Sequence, residues 1–327
     1  MVQWREQFGM AVEPEGVRFQ SPVFVIGCMR SGTTFLADKL SEHPQLLKIG
    51  NELRDVWTTL GNAPCSEDEN FRRSADDFDP VVAANMAAYF SRYATISRSA
   101  TRHLMRLSYR LRKRRGRVFY DWDNLVPLNK STRLINKIGY VHSLFPNSKI
   151  VLIVRGLGGQ SASMKVFVDR MQHVTKSTFA MSSNPGSAWA QVQTADSGPD
   201  KFVTAYPPDF RAIPEMWVRL NLMALLDLQK LPSENYRVVR YEDLVTKPSE
   251  YVKALFDFLD LEEAHVEKAK SISNSPTSIT NAVSDGNLLT WWESALNNDE
   301  REVIEHVKHS IAYAKIEQIL DKIAITV

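Results

Sequence analysis

The sequence predicts an α/β fold of three layers, in which a central parallel sheet is flanked by helices on both faces. Two short segments, residues 23–26 and 149–155, are apolar almost throughout, as is typical of strands buried on both faces of a sheet. A segment with helical spacing follows the first strand and carries Phe35, Leu36 and Leu40 on one side. Strand, glycine-containing loop and helix in this order are an arrangement by which α/β proteins bind phosphate groups.

Length and composition limit the classes of protein that the chain can belong to. With 327 residues, 44% of them hydrophobic, it can form one large α/β domain or two small ones. The net charge of +2 gives no reason to expect nucleic-acid binding. Two cysteines, Cys28 and Cys65, do not predict a disulfide framework. No apolar run reaches the roughly 18 residues of a membrane span, and the first residues lack a signal peptide's apolar segment. We therefore expect a cytoplasmic protein without a membrane span.

The loop after the first strand predicts a P-loop-like fold, although it departs from the P-loop pattern at one position. Gly27 and Gly32 have the spacing of G-x-x-x-x-G-K-[ST], and Thr34 fills its hydroxyl position, but Thr33 stands where the lysine belongs. The cation is instead Arg30, inside the loop. Because the P-loop lysine reaches the β- and γ-phosphates of a triphosphate, this loop favours a donor with a single 5′ anionic chain. A turn without a ligand is the alternative, since turn geometry requires only the glycines.

Three further charged residues stand where they could reach this loop. Glu52 and Arg54 come just past the first helix, with a surface ion pair as the alternative interpretation. Lys130 lies near the end of the apolar segment 124–132, and open α/β sheets bind ligands at the carboxyl ends of their strands. An exposed lysine before a helix is the alternative for Lys130.

The second buried strand supplies another candidate pair. Arg155 ends this strand, and Ser163 follows eight residues later. If a helix begins near Gly159, both side chains lie close enough to bind one phosphate, with the arginine as a bidentate donor. The spacing alone is a weak pattern, but beside a phosphate loop it predicts a second phosphate of the same nucleotide.

Two other segments carry features that do not decide the function. Residues 80–115 have helical character, and the basic run 102–117 contains eight lysines and arginines. This run could bind an acidic partner or a membrane surface, but a solvated helix face is the commoner cause. Residues 215–230 predict a core helix, so we expect Trp217 to pack against other side chains and not to bind a ligand.

Taken together, these residues resemble the sulfotransferases that use 3′-phosphoadenosine 5′-phosphosulfate (PAPS). In that family a [KR]-[ST]-G-T-T loop holds the 5′-phosphosulfate, and a strand-terminal arginine with a serine eight residues on holds the 3′-phosphate. A third marker is a strand ending in Y-E-D-L before a helix, which residues 236–248 match. The resemblance covers nearly the whole chain and implies a single domain, residues 1–327. It implies that PAPS is bound by Arg30, Ser31, Gly32, Thr33, Thr34, Arg155, Ser163 and Tyr241.

Within that family the chain is most similar to the tyrosylprotein type. That type shares R-S-G-T-T, then H-P, here His43 and Pro44, and then G-[EN]-E-x-R, here residues 50–54. The resemblance implies that Glu52 is the catalytic base. It also implies that Lys130 is the catalytic lysine of an N-K-[DST] segment, with Lys137 as a less favoured substitute.

The chain departs from the tyrosylprotein type in two respects. It lacks the membrane anchor and the disulfide-forming cysteines of those secretory-pathway enzymes. Residues 165–213 look like a lineage-specific insertion on the acceptor side. Residues 271–290 resemble the loop that closes over the donor in this family. The resemblance therefore bears more on the donor and the chemistry than on a protein-tyrosine acceptor.

The expected chemistry is in-line transfer of a sulfuryl group to a hydroxyl or an amine, with 3′-phosphoadenosine 5′-phosphate (PAP) as product. Glu52 takes the acceptor's proton, and Arg30 and Lys130 offset the developing negative charge. No dense cluster of carboxylates or histidines indicates a metal site, so no metal is expected. We expect a small-molecule acceptor, contacted by Arg54, with protein tyrosine or a glycan as alternatives. A P-loop-like nucleotide kinase and an inactive nucleotide-binding scaffold are the rival hypotheses, and the sequence predicts no oligomeric state.

Overall fold

The computed structural model describes residues 21–64, 72–95, 121, 124–175, 178–179, 192–193, 209–262 and 289–327. The strands within these ranges are β1 Val23–Ile26, β2 Leu46–Lys48, β3 Val126–Ser131, β4 Lys149–Val154, β5 Thr178–Phe179, β6 Val192–Gln193 and β7 Tyr236–Arg240. The helices are α1 Thr33–Leu40, α2 Arg54–Thr59, α3 Pro80–Thr95, α4 Ile138–Leu144, α5 Leu157–Thr175, α6 Ala212–Leu228, α7 Tyr241–Thr246, α8 Pro248–Phe258, α9 Trp291–Ala295, α10 Asn298–Lys308 and α11 Ile311–Ile323. Cys65, the basic run 102–117 and the predicted closing loop up to residue 288 lie outside the described residues.

Five of the strands form one parallel sheet in the order β2-β3-β1-β4-β7. In the ladders, Ile26 of β1 is level with Ser131 of β3 and with Leu152 of β4, and Val154 of β4 is level with Arg240 of β7. The carboxyl ends of these four strands therefore meet at one edge of the sheet. The phosphate loop, the segment after Ser131, Arg155 and Tyr241 all begin at that edge.

The sheet is covered on both faces, which confirms the predicted three layers. Consecutive side chains of a strand point to opposite faces, and the residues of β1 divide between two hydrophobic cores in this way. Phe24 and Ile26 belong to the larger core, with side chains from α3, α4, α5, α6, α10 and α11. Val23 and Val25 belong to the smaller core, with side chains from α1 and α8.

A turn at residues 133–136, whose Leu134 and Ile135 are buried, precedes α4. The boundaries of α5 differ from the predicted ones, since this helix was expected to begin near Gly159. Helix α5 begins at Leu157 and runs through Thr175, so the first residues of the predicted insertion 165–213 continue this helix. Val168, on this continuation, is 1% exposed. Most of the rest of that segment lies outside the described residues.

None of the helices in the described ranges combines the length and the apolar character that crossing a bilayer requires.

Candidate functional site

The loop between β1 and α1 has a backbone that would suit an anion. Arg30 and Gly32 both have left-handed backbone angles, with φ of 68° and 96°. The Ser31 hydroxyl donates to the Cys28 carbonyl at 2.6 Å and so closes the loop on itself. Helix α1 has no side-chain cap at its start, and the first N–H groups of a helix have no partner within it. The positive end of α1 therefore opens on this loop.

Both loop glycines are required by close contacts. A Cβ on Gly27 would lie 2.6 Å from the Ile153 carbonyl oxygen of the neighbouring strand. A Cβ on Gly32 would lie 2.5 Å from the Tyr241 ring, at a φ that L side chains rarely adopt. The loop is thus packed tightly between β4 and the start of α7.

Two arginines approach each other above this loop. Arg155 Nη1 donates to the Arg30 carbonyl at 3.3 Å, and Arg30 Nε donates to Ser163 Oγ at 3.2 Å. The Arg155 guanidinium lies over the Tyr241 ring at 4.5 Å, and the Arg30 guanidinium lies 5.4 Å from the Phe167 ring centre. Among the described residues, neither guanidinium forms an ion pair. The two cations therefore lie close together without a carboxylate between them.

The burial of these cations has an electrostatic cost. Arg155 is only 8% exposed, and its Nε is buried without a hydrogen-bond partner. Burial lowers the pKa of Arg155. Burial also lowers the pKa of Arg30, and the positive charges of Arg155 and Arg170 lower it further. An anion placed here would offset both the desolvation and the repulsion.

Several neighbours of Arg155 hold its backbone, whereas its charge is offset only in part, by the fields of Tyr241 and Glu242, which raise its pKa against the effect of burial. The Trp217 indole N–H, on α6, donates to the Arg155 carbonyl at 2.8 Å. Glu242 accepts a hydrogen bond from the Gly156 N–H at 3.0 Å. A Cβ on Gly159 would lie 3.1 Å from Arg155 Nε, so this glycine makes room for the guanidinium. Trp217 packs in the core as predicted, and it also fixes the end of β4.

Glu52 and Lys130 form a second group at the same edge of the sheet. The Lys130 ammonium is ion-paired with Glu52 Oε1, and it also lies 3.5 Å from Asn51 Oδ1. Glu52 Oε2 accepts hydrogen bonds from the Ser131 hydroxyl at 3.1 Å, the Thr132 N–H at 2.7 Å and the Thr132 hydroxyl at 3.2 Å. The side chains of Lys130 and Glu52 are 6% and 17% exposed. This carboxylate is therefore held by four donors, all from the end of β3.

These contacts determine the charge of Glu52. Burial by itself would raise the pKa of the Glu52 carboxyl, but the charge of Lys130 and the hydrogen bonds from Lys130, Thr132 and Ser131 together lower it. The group is consequently ionised at neutral pH. A carboxylate that accepts protons and a cation that can balance negative charge thus lie side by side.

The segment that carries Glu52 is fixed at both ends. Gly50 and Leu53 have positive φ values of 57° and 49°, which make the turn tight. The Asn129 side-chain amide donates to the Asn51 carbonyl at 3.4 Å and accepts from the Trp57 indole N–H at 3.1 Å. Four consecutive residues at the end of β3, from Asn129 to Thr132, therefore contact this segment.

The remaining candidates from the sequence have different surroundings. Thr33 is buried and Thr34 is exposed, both in the first turn of α1, and Arg54 is exposed at the start of α2. Lys137 is fully buried and donates to the Asn136 side chain at 2.6 Å and to the Arg133 carbonyl at 3.2 Å. It serves as a buried structural contact of the turn before α4. Ser163 Oγ accepts a hydrogen bond from Arg30, and the predicted sharing of one phosphate by Arg155 and Ser163 stays a prediction.

Sequence reasoning missed Ser131 and Thr132 as partners of Glu52. One signal was available, since Asn129, Lys130, Ser131 and Thr132 are four polar residues in succession at the end of an otherwise buried strand. Among the described residues, no group of three or more His, Cys, Asp or Glu side chains is arranged to hold a metal ion.

The chain was compared with solved structures and with curated sequences. It is similar to the sulfotransferase domain from the curacin biosynthetic pathway, to mouse sulfotransferase SULT7A1 complexed with PAP, and to sulfotransferase STF9 from Mycobacterium avium. The identities are 17%, 11% and 13%, and the TM-scores are 0.44, 0.41 and 0.46. The alignments cover 90%, 94% and 99% of this chain and 99%, 90% and 82% of the other chains. No curated protein sequence matches significantly.

A family model gives a more direct assignment. The model described as "Sulfotransferase family" matches residues 22–265. This match covers well over half of the chain and includes the loop after β1, Glu52, Lys130, Arg155 and Ser163. The chain therefore belongs to the sulfotransferase family, and it is an enzyme of that family.

Proposed function

We propose that this sulfotransferase transfers the sulfuryl group from PAPS to a hydroxyl or amine acceptor, and that PAP is the product. The observation that carries the proposal is the pair formed by half-buried Arg30 and buried Arg155, neither of which forms an ion pair with a carboxylate within the described ranges. Buried charges are normally paired, so two adjacent unpaired cations favour an anionic ligand with at least two charged groups. A nucleotide with a 5′-phosphosulfate and a 3′-phosphate has this character.

The residues fit the two ends of such a donor. We assign the 5′-phosphosulfate to Arg30, Ser31, Gly32, Thr33 and Thr34 in the loop and first turn of α1. The positive end of this helix and the guanidinium of Arg30 both favour an anion there.

We assign the 3′-phosphate to Arg155 and Ser163, with Tyr241 as the ring that holds the Arg155 guanidinium in place. The unpartnered Nε of Arg155 supports this assignment, since a bound phosphate oxygen would accept its hydrogen bond. Ser163 Oγ accepts from Arg30, so its own hydroxyl proton remains a donor that a phosphate could use.

For the chemical step, we assign the role of base to Glu52. Its carboxylate is ionised at neutral pH, as a base must be, and Oε1 has a second lone pair beside the Lys130 contact. Glu52 takes the proton of the acceptor as that group attacks the sulfur atom. Lys130 and Arg30 balance the negative charge that develops on the transferred group and on the leaving phosphate. Side-chain cations supply this charge balance, so we expect turnover without an added metal ion.

Two sequence segments bear on the acceptor and on the branch within the family. The segment G-N-E-L-R at residues 50–54 and the preceding His43 and Pro44 favour the tyrosylprotein-like branch. We expect a small-molecule acceptor, with Arg54 as a contact because it is exposed next to Glu52 in the chain. Screening pools of alcohols, phenols, amines, glycans and tyrosine peptides with isotopically labelled PAPS would identify the acceptor class. The single-domain organisation, the acceptor-side insertion, the closing loop and the cytoplasmic location remain predictions.

The donor assignment is tested by comparing PAP with AMP, which lacks the 3′-phosphate. Hydrogen bonds to charged groups contribute roughly 1.5–3 kcal/mol each, so the protein should bind PAP on the order of a hundredfold more tightly than AMP. Replacing Arg155 by alanine should remove most of this preference and change AMP affinity little. Isothermal titration calorimetry on the two proteins with the two nucleotides measures the effect.

Arg237→Ala is the matched control. Arg237 also lies over an aromatic ring, that of Phe258 at 4.4 Å, but it is level with Val151, three residues before the end of β4. This variant should keep the preference for PAP. Equal wild-type affinities for PAP and AMP would remove the main support for a PAPS site.

A further inference from the structure

The end of β3 places more donors around Glu52 than an ion pair requires. Besides the ion pair of Oε1 with Lys130, Oε2 accepts three additional hydrogen bonds from Ser131 and Thr132. Ser131 is completely buried and Thr132 is 5% exposed, so water does not compete for these bonds. The two oxygens of Glu52 therefore have different surroundings.

We propose that Ser131 and Thr132 are positioning residues of the transfer reaction. They hold Oε2 of Glu52 against the end of β3, so that Oε1 is the oxygen that stays beside Lys130 and receives the proton of the acceptor. The inference rests on the proposed function, because it takes Glu52 to be the base.

The geometry limits the movement of the carboxylate in two ways. The Thr132 N–H and hydroxyl come from one residue and reach the same oxygen from different directions, which restrains rotation of the carboxylate plane. Ser131 Oγ also accepts the Arg133 N–H at 3.2 Å, so the hydroxyl has a fixed orientation as a donor to Glu52. A base that is already held in one orientation adds no reorientation cost to the activation free energy.

The arrangement also predicts how the base titrates. Lys130 is the charged group whose field acts on the carboxyl, and the hydrogen bonds from Ser131 and Thr132 favour the ionised form as well. Removing a donor therefore raises the pKa of Glu52, and the carboxylate is then lost at a higher pH. The acidic limb of the pH profile of kcat/KM should therefore shift to higher pH by the same amount.

The test uses Ser131→Ala, Thr132→Val and the double variant. Thr132→Val keeps the shape and the backbone N–H but removes the hydroxyl, whereas Thr132→Ser keeps the hydroxyl and should restore the wild-type behaviour. Ser143→Ala is the matched control, since its hydroxyl donates at 2.8 Å to the Tyr140 carbonyl within α4 and away from Glu52.

Two readouts are measured on each protein. The first is the titration of the Glu52 carboxyl by carbon-13 NMR of glutamate-labelled protein, with Glu52→Gln to assign the signal. The second is kcat and kcat/KM against pH, with labelled PAPS and the best acceptor from the screen. In the double variant, we expect the pKa of the Glu52 carboxyl to rise by about one unit. The pH at which kcat/KM falls on the acidic side should rise equally, and kcat should fall on the order of tenfold or more. PAP affinity should stay within a factor of two.

The possible failures are distinguishable. If the carboxyl titration does not move in the double variant, Ser131 and Thr132 do not act on Glu52, while the proposed function is unaffected. If the titration moves but the acidic limb of the rate does not, Glu52 is not the base, and the proposed mechanism fails together with the inference. If PAP affinity falls as much as kcat, or if Thr132→Ser fails to restore the rate, the two residues have only a structural role.

Discussion

Glu52 and Arg155 are buried ionised residues whose charges are stabilised in different ways. Four donors from the end of β3 stabilise the Glu52 carboxylate, and their effect exceeds the cost of burial. In the part of the chain that the structure describes, the Arg155 guanidinium contacts the Arg30 carbonyl and the Tyr241 ring, and the charge of Glu242 offsets the effect of burial on its pKa only in part. The protein therefore satisfies the carboxylate by itself, whereas a bound anion is needed to satisfy the guanidinium. This difference is the one expected between a base and a binding group.

The sequence predicted both residues but not all of their partners. Arg30, Lys130 and Arg155 could be found because each stands at the end of a predicted strand or in the loop after one. Glu52 could be found because it comes just past the helix that follows the phosphate loop. Spacing along α5 indicates that Ser163 lies near the site, but it cannot show which arginine contacts the Ser163 hydroxyl. In the structure that arginine is Arg30.

Replacing Glu52 by glutamine should remove most of the turnover and leave PAP affinity nearly unchanged. Glutamine has the shape of glutamate but cannot accept the proton, and a general base typically contributes about 10²–10⁴-fold to the rate. Asp55→Asn is the control, since Asp55 is an exposed carboxylate three residues further along. Steady-state rates at saturating PAPS measure the effect. A Glu52→Gln enzyme with more than a tenth of the wild-type rate would require a different base.

At the scale of elements, the site is built where loops leave the strands. Strand β1 and the loop after it were predictable, because a continuous apolar run followed by two glycines is typical of a buried strand that ends in a tight loop. Strand β2 has only three residues, so its pattern is too short to recognise from sequence. The spacing of the loop glycines could not predict that Gly32 packs against the Tyr241 ring, since that ring comes from a segment about two hundred residues away.

Gly32→Ala should destabilise the fold and weaken PAP binding. An alanine at this φ costs roughly 1–2 kcal/mol, and the added carbon would displace the Tyr241 ring that supports Arg155. Gly139→Ala, inside α4, is the matched control: an added carbon there would lie 3.5 Å from its nearest neighbour, the backbone nitrogen of Ala75, at an ordinary contact distance. This control should be neutral or stabilising by up to about 1 kcal/mol. Urea unfolding and calorimetry with PAP measure both effects, and a Gly32→Ala protein with wild-type values would contradict the packing described.

At the scale of the whole molecule, the order of the strands assembles the site. Strand β1 lies between β3 and β4, so the phosphate loop has Lys130 on one side and Arg155 on the other. The sequence predicted a parallel sheet but not this order, because strand order depends on pairings between segments far apart in the chain, such as Val23 of β1 with Leu128 of β3 and with Lys149 of β4. The three layers were predictable because they depend on local composition. An apolar run that is hydrophobic throughout indicates by itself that both faces of its strand are covered.

The unpaired arginines also have a consequence for how long the enzyme survives. A ligand that binds only the folded state adds RT ln(1 + [L]/Kd) to the free energy of unfolding, about 2.7 kcal/mol at a hundred times Kd. Relief of the repulsion between Arg30 and Arg155 is part of that gain. The melting temperature should therefore rise steadily with PAP concentration and rise less with AMP at equal concentration. In Arg155→Ala, PAP should raise it only about as much as AMP raises that of the wild type. A PAP-independent melting temperature would contradict this linkage. If the linkage holds, depletion of nucleotide leaves the enzyme both idle and more open to proteolysis, so the supply of activated sulfate sets its lifetime as well as its rate.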